Sequence, residues 1–138
     1  MAEQQLQGKR ILIVDDDNDV LTSIQAAFEP TGAAIDIASN GNKATELYDK
    51  GKPDLLILDM MLPGRSGFLV MEHVQREKNK AKTPRNSPPY VIMITGNTGA
   101  RHQAFAESLG VSEYLHKPVK MDKLVASAQR LLAPAATT

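Results

Sequence analysis

Apolar residues along the chain fall into two alternating patterns. Short continuous runs occur at Ile11–Val14, Ala33–Ala38 (interrupted by Asp36), Leu55–Leu58 and Val91–Ile94, with a weaker one at Tyr114–Leu115. Runs this short and this rich in Ile and Val predict strands buried on both faces, as in a parallel sheet. Between them lie stripes at helical spacing. Val20, Leu21, Ile24, Ala27 and Phe28 form one, with Asp17 or Asn18 as its cap. Ala44, Leu47 and Tyr48 form a second after Asn40-Gly41, and Phe68, Val70, Met71 and Val74 a third. Ala104, Phe105 and Leu109 follow the glycine-containing loop at 96–99. Met121, Leu124, Val125, Ala128, Leu131 and Leu132 give the clearest stripe, ending before Pro134.

Five strands alternating with five helices predict an α/β fold. Right-handed crossovers leave few ways to wind it, and a doubly wound, flavodoxin-like five-stranded parallel sheet of order 2-1-3-4-5 is favoured. The interval from the third strand to the fourth exceeds the others by over a dozen residues. The excess, Arg76 to Pro89, carries Arg76, Lys78, Lys80, Lys82 and Arg85 against Glu77 alone, with three prolines. It reads as a helix end followed by an exposed connector, either a solvated loop or a basic patch for a partner. The expected organisation is a polar extension over 1–9, one domain over 10–132, and a tail or linker stub over 133–138.

Composition narrows the chemistry. The chain has 138 residues, 16 Lys plus Arg against 16 Asp plus Glu, and no cysteine. Zero formal charge removes the usual argument for direct nucleic-acid binding. Absence of cysteine excludes disulfides, thiolate metal sites and a cysteine nucleophile. The polar start lacks a signal-peptide core, and no apolar run approaches the ~20 residues of a membrane span. A cytoplasmic location without membrane contact is the expectation. His73, His102 and His116 share no metal-ligand spacing and read as surface residues.

The polar residues that follow the strands converge. Asp15, Asp16 and Asp17 follow the first, Asp59 the third, Thr95 the fourth and Lys117 the fifth. In a 2-1-3-4-5 sheet the carboxyl ends of strands one and three flank the switch point where ligands bind. Taken singly, each residue could be a turn, a cap or a solvated loop position. Taken together, they set clustered carboxylates beside a hydroxyl and an ammonium. Clustered carboxylates repel unless a cation sits among them, and Mg²⁺ favours carboxylate and phosphate oxygens. Hydroxyl and ammonium donors beside it suit a phosphoryl group.

The segments ILIVDDD, LLILDMMLPGRSG, VIMIT and YLHKP, in this order and spacing, resemble the response-regulator receiver domain, the phosphoacceptor of two-component signalling, a family that includes chemotaxis regulators. The resemblance spans about Arg10 to Leu132. It implies Asp59 as acceptor of a phosphoryl group from the phosphohistidine of a histidine kinase or histidine phosphotransferase, with Asp59 and Lys117 central to the chemistry. It implies Mg²⁺, with Mn²⁺ as a substitute, held by Asp15, Asp16, Asp59 and the backbone carbonyl of Met61. Thr95 and Lys117 would bind phosphoryl oxygens, Thr95 and Tyr114 would form the switch, and Lys117–Pro118 would be cis. The surface at 99–132 would signal to an output partner. The chain is then not an enzyme on external substrates; it takes and loses its own phosphoryl group.

Some positions modify that picture. Met61 is bulky and apolar beside the site, which predicts a phosphoryl lifetime distinct from regulators with a polar residue there. Gly96 leaves room for a donor histidine, and Asn97 could reach the same pocket. The 99–132 region lacks a full set of paired charges, which favours a monomer or weak dimer. Only six residues follow Leu132, too few for a DNA-binding module. Three other readings stay open: a receiver fragment of a hybrid histidine kinase or longer regulator, a receiver used only for docking, and a haloacid-dehalogenase-type Mg²⁺ phosphohydrolase. Against the last, Asp15-x-Asp17-x-Asp19 has Asp where that motif needs Thr or Val.

Overall fold

The computed structural model describes residues 6–60, 62, 66–83, 87–96 and 100–132, and leaves aside the side chains of 100–102. Strands β1 (Arg10–Val14), β2 (Ala34–Ala38), β3 (Leu55–Asp59), β4 (Tyr90–Thr95) and β5 (Glu113–His116) alternate with helices α1 (Asn18–Phe28), α2 (Gly41–Gly51), α3 (Gly67–Lys80), α4 (Ala100–Ser108) and α5 (Met121–Leu132). All strand pairs are parallel and the order is β2-β1-β3-β4-β5. The predicted winding is the observed one.

Strand alternation divides the core into two layers. Leu12, Val14, Leu56, Leu58, Val91 and Met93 face α2, α3 and α4, where Ala44, Tyr48, Val70, Met71, Val74 and Ala106 meet them. Ile11, Ile13, Leu55, Ile57, Ile92 and Ile94 face α1 and α5, against Leu21, Ile24, Phe28, Leu124, Ala128 and Leu132. Each such side chain contributes about 1.5–3 kcal/mol by leaving water. The helices start where the sequence supplies caps. Asp17 accepts from the amides of Asp19 and Val20, Asn40 from Lys43, and Ser66 from Leu69.

Several elements differ from the sequence reading. β2 lies at a sheet edge, so Ile37 is 42% exposed rather than covered on both faces. In α4, Ala106 is buried, while Ala104 and Phe105 face outward. Phe105 instead meets Phe68 edge-to-face, with ring centroids 4.9 Å apart. Leu6, within the segment read as a polar extension, is buried, and its amide donates to the carbonyl of Thr31 at 2.8 Å. The Arg76–Pro89 stretch is helical as far as Lys80, and Pro84, Arg85 and Asn86 lie outside the described residues. Within it Lys78 is not part of an exposed basic face. It is buried and its ammonium donates to the carbonyl of Ser87 at 2.8 Å, tying the connector down.

Candidate functional site

Strand register brings the polar residues to one rim. Val14 pairs with Leu58, Asp59 with Ile94, and Thr95 with His116. Strands β1, β3, β4 and β5 therefore each hand over a polar residue at the same carboxyl edge. Backbone bonds continue the ladder beyond the strands. The Asp15 amide donates to Ala38 O at 3.1 Å, Met60 to Ile94 O at 3.1 Å, and Lys117 to Thr95 O at 2.7 Å.

Asp15, Asp59 and Thr95 are buried, whereas Asp16 is exposed beside them. Carboxylate oxygens of Asp15, Asp16 and Asp59 lie within 4.8 Å of one another. Asp15 Oδ1 accepts from the Asp17 amide at 2.9 Å. Its Oδ2 has the Lys117 ammonium 3.1 Å away as an ion-pair partner, but no well-directed hydrogen bond. The same ammonium donates to Asp59 Oδ2 at 3.5 Å. Partial burial pulls the Lys117 pKa down, yet the close contact and charge of Asp15, with the charge and hydrogen bond of Asp59, outweigh it and hold the group above its ordinary value. Lys117–Pro118 is cis.

Tyr114 is half-buried at the side of this pocket. Its hydroxyl donates to Met60 Sδ at 3.9 Å, and Thr95 is its other polar partner. Burial raises the phenol pKa, and the Thr95 hydrogen bond opposes the rise. At the start of α3, Gly67 lies directly on the backbone of Asp59 and Met60. A Cβ there would meet Asp59 O at 2.6 Å and Met60 Cα at 2.7 Å. The Gly67 amide donates to Met60 O at 2.9 Å.

The structure thus brings Asp15, Asp16, Asp59, Thr95, Lys117 and Tyr114 to one pocket. Met61 and Asn97 lie outside the described residues, as does the side chain of His102. His116 is exposed. His73 is not a free surface residue, because its Nε2 meets Asp49 Oδ1 at 2.8 Å across the α2–α3 contact. Met60 and Gly67 escaped sequence reasoning as site residues; the only signal was their place directly after Asp59 and at the start of the third stripe.

A buried carboxylate oxygen without a directed donor, beside two further carboxylates, fits a divalent cation, and one lysine does not neutralise three acids. Beside the pocket, Val20, Ser23, Ile24, Pro118 and Met121 help line a largely apolar groove of about 460 Å³ between α1 and the start of α5. Among the described residues, no helix is long and apolar enough to cross a membrane.

Five parallel strands wound in this order, with acids gathered at the carboxyl edge, define a doubly wound, flavodoxin-like domain of the CheY-like class. Comparison with known proteins gives the family. The response regulator receiver domain matches residues 11–129. The transcriptional regulatory protein DltR of Streptococcus agalactiae is 33% identical over 117 residues, 85% of this chain and 49% of its own length. The phosphate regulon regulatory protein PhoB of Pseudomonas aeruginosa is 32% identical over 125 residues, 91% of this chain and 52% of its own length. A CheY-like receiver domain protein from Methanospirillum hungatei JF-1 superposes with a TM-score of 0.78 at 26% identity, over 88% of this chain and 91% of that one. The chain belongs to the response regulator receiver domain family of two-component signalling, and spans about half the length of the curated relatives it matches.

Proposed function

We propose that the chain is a phosphoryl-accepting switch that uses Asp59 as acceptor. The observation that carries this reading is the Lys117 ammonium set between two buried carboxylates, 3.1 Å from Asp15 and 3.5 Å from Asp59, with Asp16 beside them. An Asp59 carboxylate oxygen attacks the phosphorus of a phosphohistidine donor. The N–P bond breaks, its electron pair stays on the imidazole nitrogen, and an O–P bond forms, leaving an acyl phosphate on Asp59. Lys117, already in reach of Asp59, holds a phosphoryl oxygen as charge arrives. Thr95 turns its hydroxyl toward another. Asp15, Asp16 and Asp59 would hold Mg²⁺, with Mn²⁺ as a substitute. When bound, the cation supplies positive charge that offsets repulsion between the acceptor and the incoming group.

The new group adds about −1.5 to −2 charge at the rim. Charge-assisted bonds from Thr95 and Lys117, at about 1.5–3 kcal/mol each, approach the roughly 5.5 kcal/mol that inverts a 1:99 equilibrium. The ring of Tyr114 turns inward to fill the space that Thr95 leaves, and the face formed by α4, β5 and α5 reports the change to an output partner. The apolar α1–α5 groove beside Lys117 supports docking of a kinase or phosphotransferase helix there. A balanced charge supports protein partners for this chain rather than nucleic acid. The chain acts on its own phosphoryl group and not on an external substrate.

Incubation with acetyl phosphate or phosphoramidate and Mg²⁺ tests this directly. A hydroxylamine-labile adduct on Asp59, lost in Asp59→Asn, is the expected result. No adduct with any donor overturns the reading, and rapid release of phosphate from small esters would point to a hydrolase instead.

A further inference from the structure

Met60 stands next to the acceptor, yet its side chain takes no part in the chemistry above. It is 2% exposed, and its backbone is held on both sides, by its own amide on Ile94 O and by the Gly67 amide on its carbonyl. With Gly67 so close that a Cβ there would lie 2.7 Å from its Cα, the backbone of Met60 has little freedom to move, and its buried thioether reaches one polar group. That group is the Tyr114 hydroxyl, which donates to Sδ at 3.9 Å. Tyr114 therefore has two polar partners of different fates. Thr95 is the group that turns away toward a phosphoryl oxygen, whereas Met60 is fixed by the backbone of the acceptor segment itself.

We propose that Met60 is a positioning residue for the switch: its sulfur holds the Tyr114 hydroxyl, and so keeps the ring turned inward, into the space that Thr95 leaves. The proposal rests on the reading of Asp59 as acceptor and of Thr95 and Tyr114 as the switch, and adds the residue that couples them. Sulfur is a weak acceptor, but a buried one has no water to replace it. An alternative based on packing alone makes a different forecast, because leucine fills nearly the volume of methionine without an acceptor.

A double-mutant cycle over Met60→Leu and Tyr114→Phe, read by urea unfolding without phosphodonor, separates the two. Met60→Leu should raise the unfolding constant about twofold to fivefold more in the Tyr114 background than in the Phe background. The same variants carrying 3-fluorotyrosine give the second readout by fluorine NMR. With Mg²⁺ and beryllofluoride as the phosphoryl mimic, Met60→Leu should reduce the ratio of inward to outward Tyr114 about twofold to fivefold. Equal effects of Met60→Leu in both backgrounds, or an unchanged Tyr114 ratio, overturn the proposal while leaving the acceptor reading intact. A wild-type protein whose Tyr114 resonance ignores beryllofluoride overturns the switch reading instead, whatever the cycle gives.

Discussion

Asp59→Asn removes one charge from the pocket while keeping its shape, and the distances give the size of the effect. Asp59 lies within 4.8 Å of carboxylate oxygens of both Asp15 and Asp16, and 3.5 Å from the Lys117 ammonium. At an effective dielectric of about 20, each repulsion is worth at least ~3.5 kcal/mol and the attraction ~4.7 kcal/mol. Two repulsions exceed one attraction by roughly 2 kcal/mol, and solvent around exposed Asp16 reduces this to about 1–2 kcal/mol. Neutralising Asp59 also ends the cost of burying its charge. Asp59→Asn should therefore stabilise the protein in EDTA, raising the thermal midpoint on the order of 5 °C. Mg²⁺ should reverse the comparison, because an ion that bound the native wild type at 100 times its dissociation constant would add about 2.7 kcal/mol. The assay is urea or thermal unfolding followed by far-UV circular dichroism, run on both proteins with EDTA and with Mg²⁺. A variant less stable than wild type in EDTA, or a difference unmoved by Mg²⁺, would refute the account of the pocket as over-charged and cation-seeking.

Two further outcomes follow from named contacts. Gly67→Ala places a methyl group on Asp59 O and Met60 Cα, so the β3–α3 connection must shift; denaturant unfolding should show a loss of about 1–3 kcal/mol, with slower acetyl-phosphate labelling of Asp59. Tyr48 has its pKa pushed up to about 12 from 10.0 by burial, helped by the charges of Glu77 and Asp49. Its folded pKa is raised, so its contribution is intact below pH 10 and falls away between about pH 10 and 12, by up to roughly 3 kcal/mol. Ultraviolet titration should show one tyrosine ionising late and cooperatively with unfolding, and Tyr48→Phe should delete that phase.

The sheet was legible because β1, β3 and β4 announce themselves twice, as four-residue apolar runs and as positions immediately before Asp15, Asp59 and Thr95. The pocket was legible for the same reason, since parallel register carries equivalent strand ends to one edge. What escaped depends on neighbours in space. Ile37 looks like a core residue until β2 is known to be an edge strand, and Phe105 until Phe68 is placed beside it. Leu6 sits among polar residues, and nothing local foretells its amide on Thr31. Lys78 reads as one of five bases, but only the fold supplies the Ser87 carbonyl that holds it inside. Met60 and Gly67 matter through contacts closer than any spacing rule resolves.

The tethered connector between α3 and β4 has a practical consequence. It enters the sheet at Tyr90, the end of β4 farthest from Thr95, and Lys78 anchors it from within the preceding helix. Because the β3–β4 ladder runs only from Leu55–Tyr90 to Asp59–Ile94, changes of length or cargo between Thr83 and Ser87 should leave its register untouched. A fluorophore, a cross-linker or an inserted domain could ride there as on a handle, reporting on or steering the molecule while the acidic rim stays undisturbed at the opposite pole.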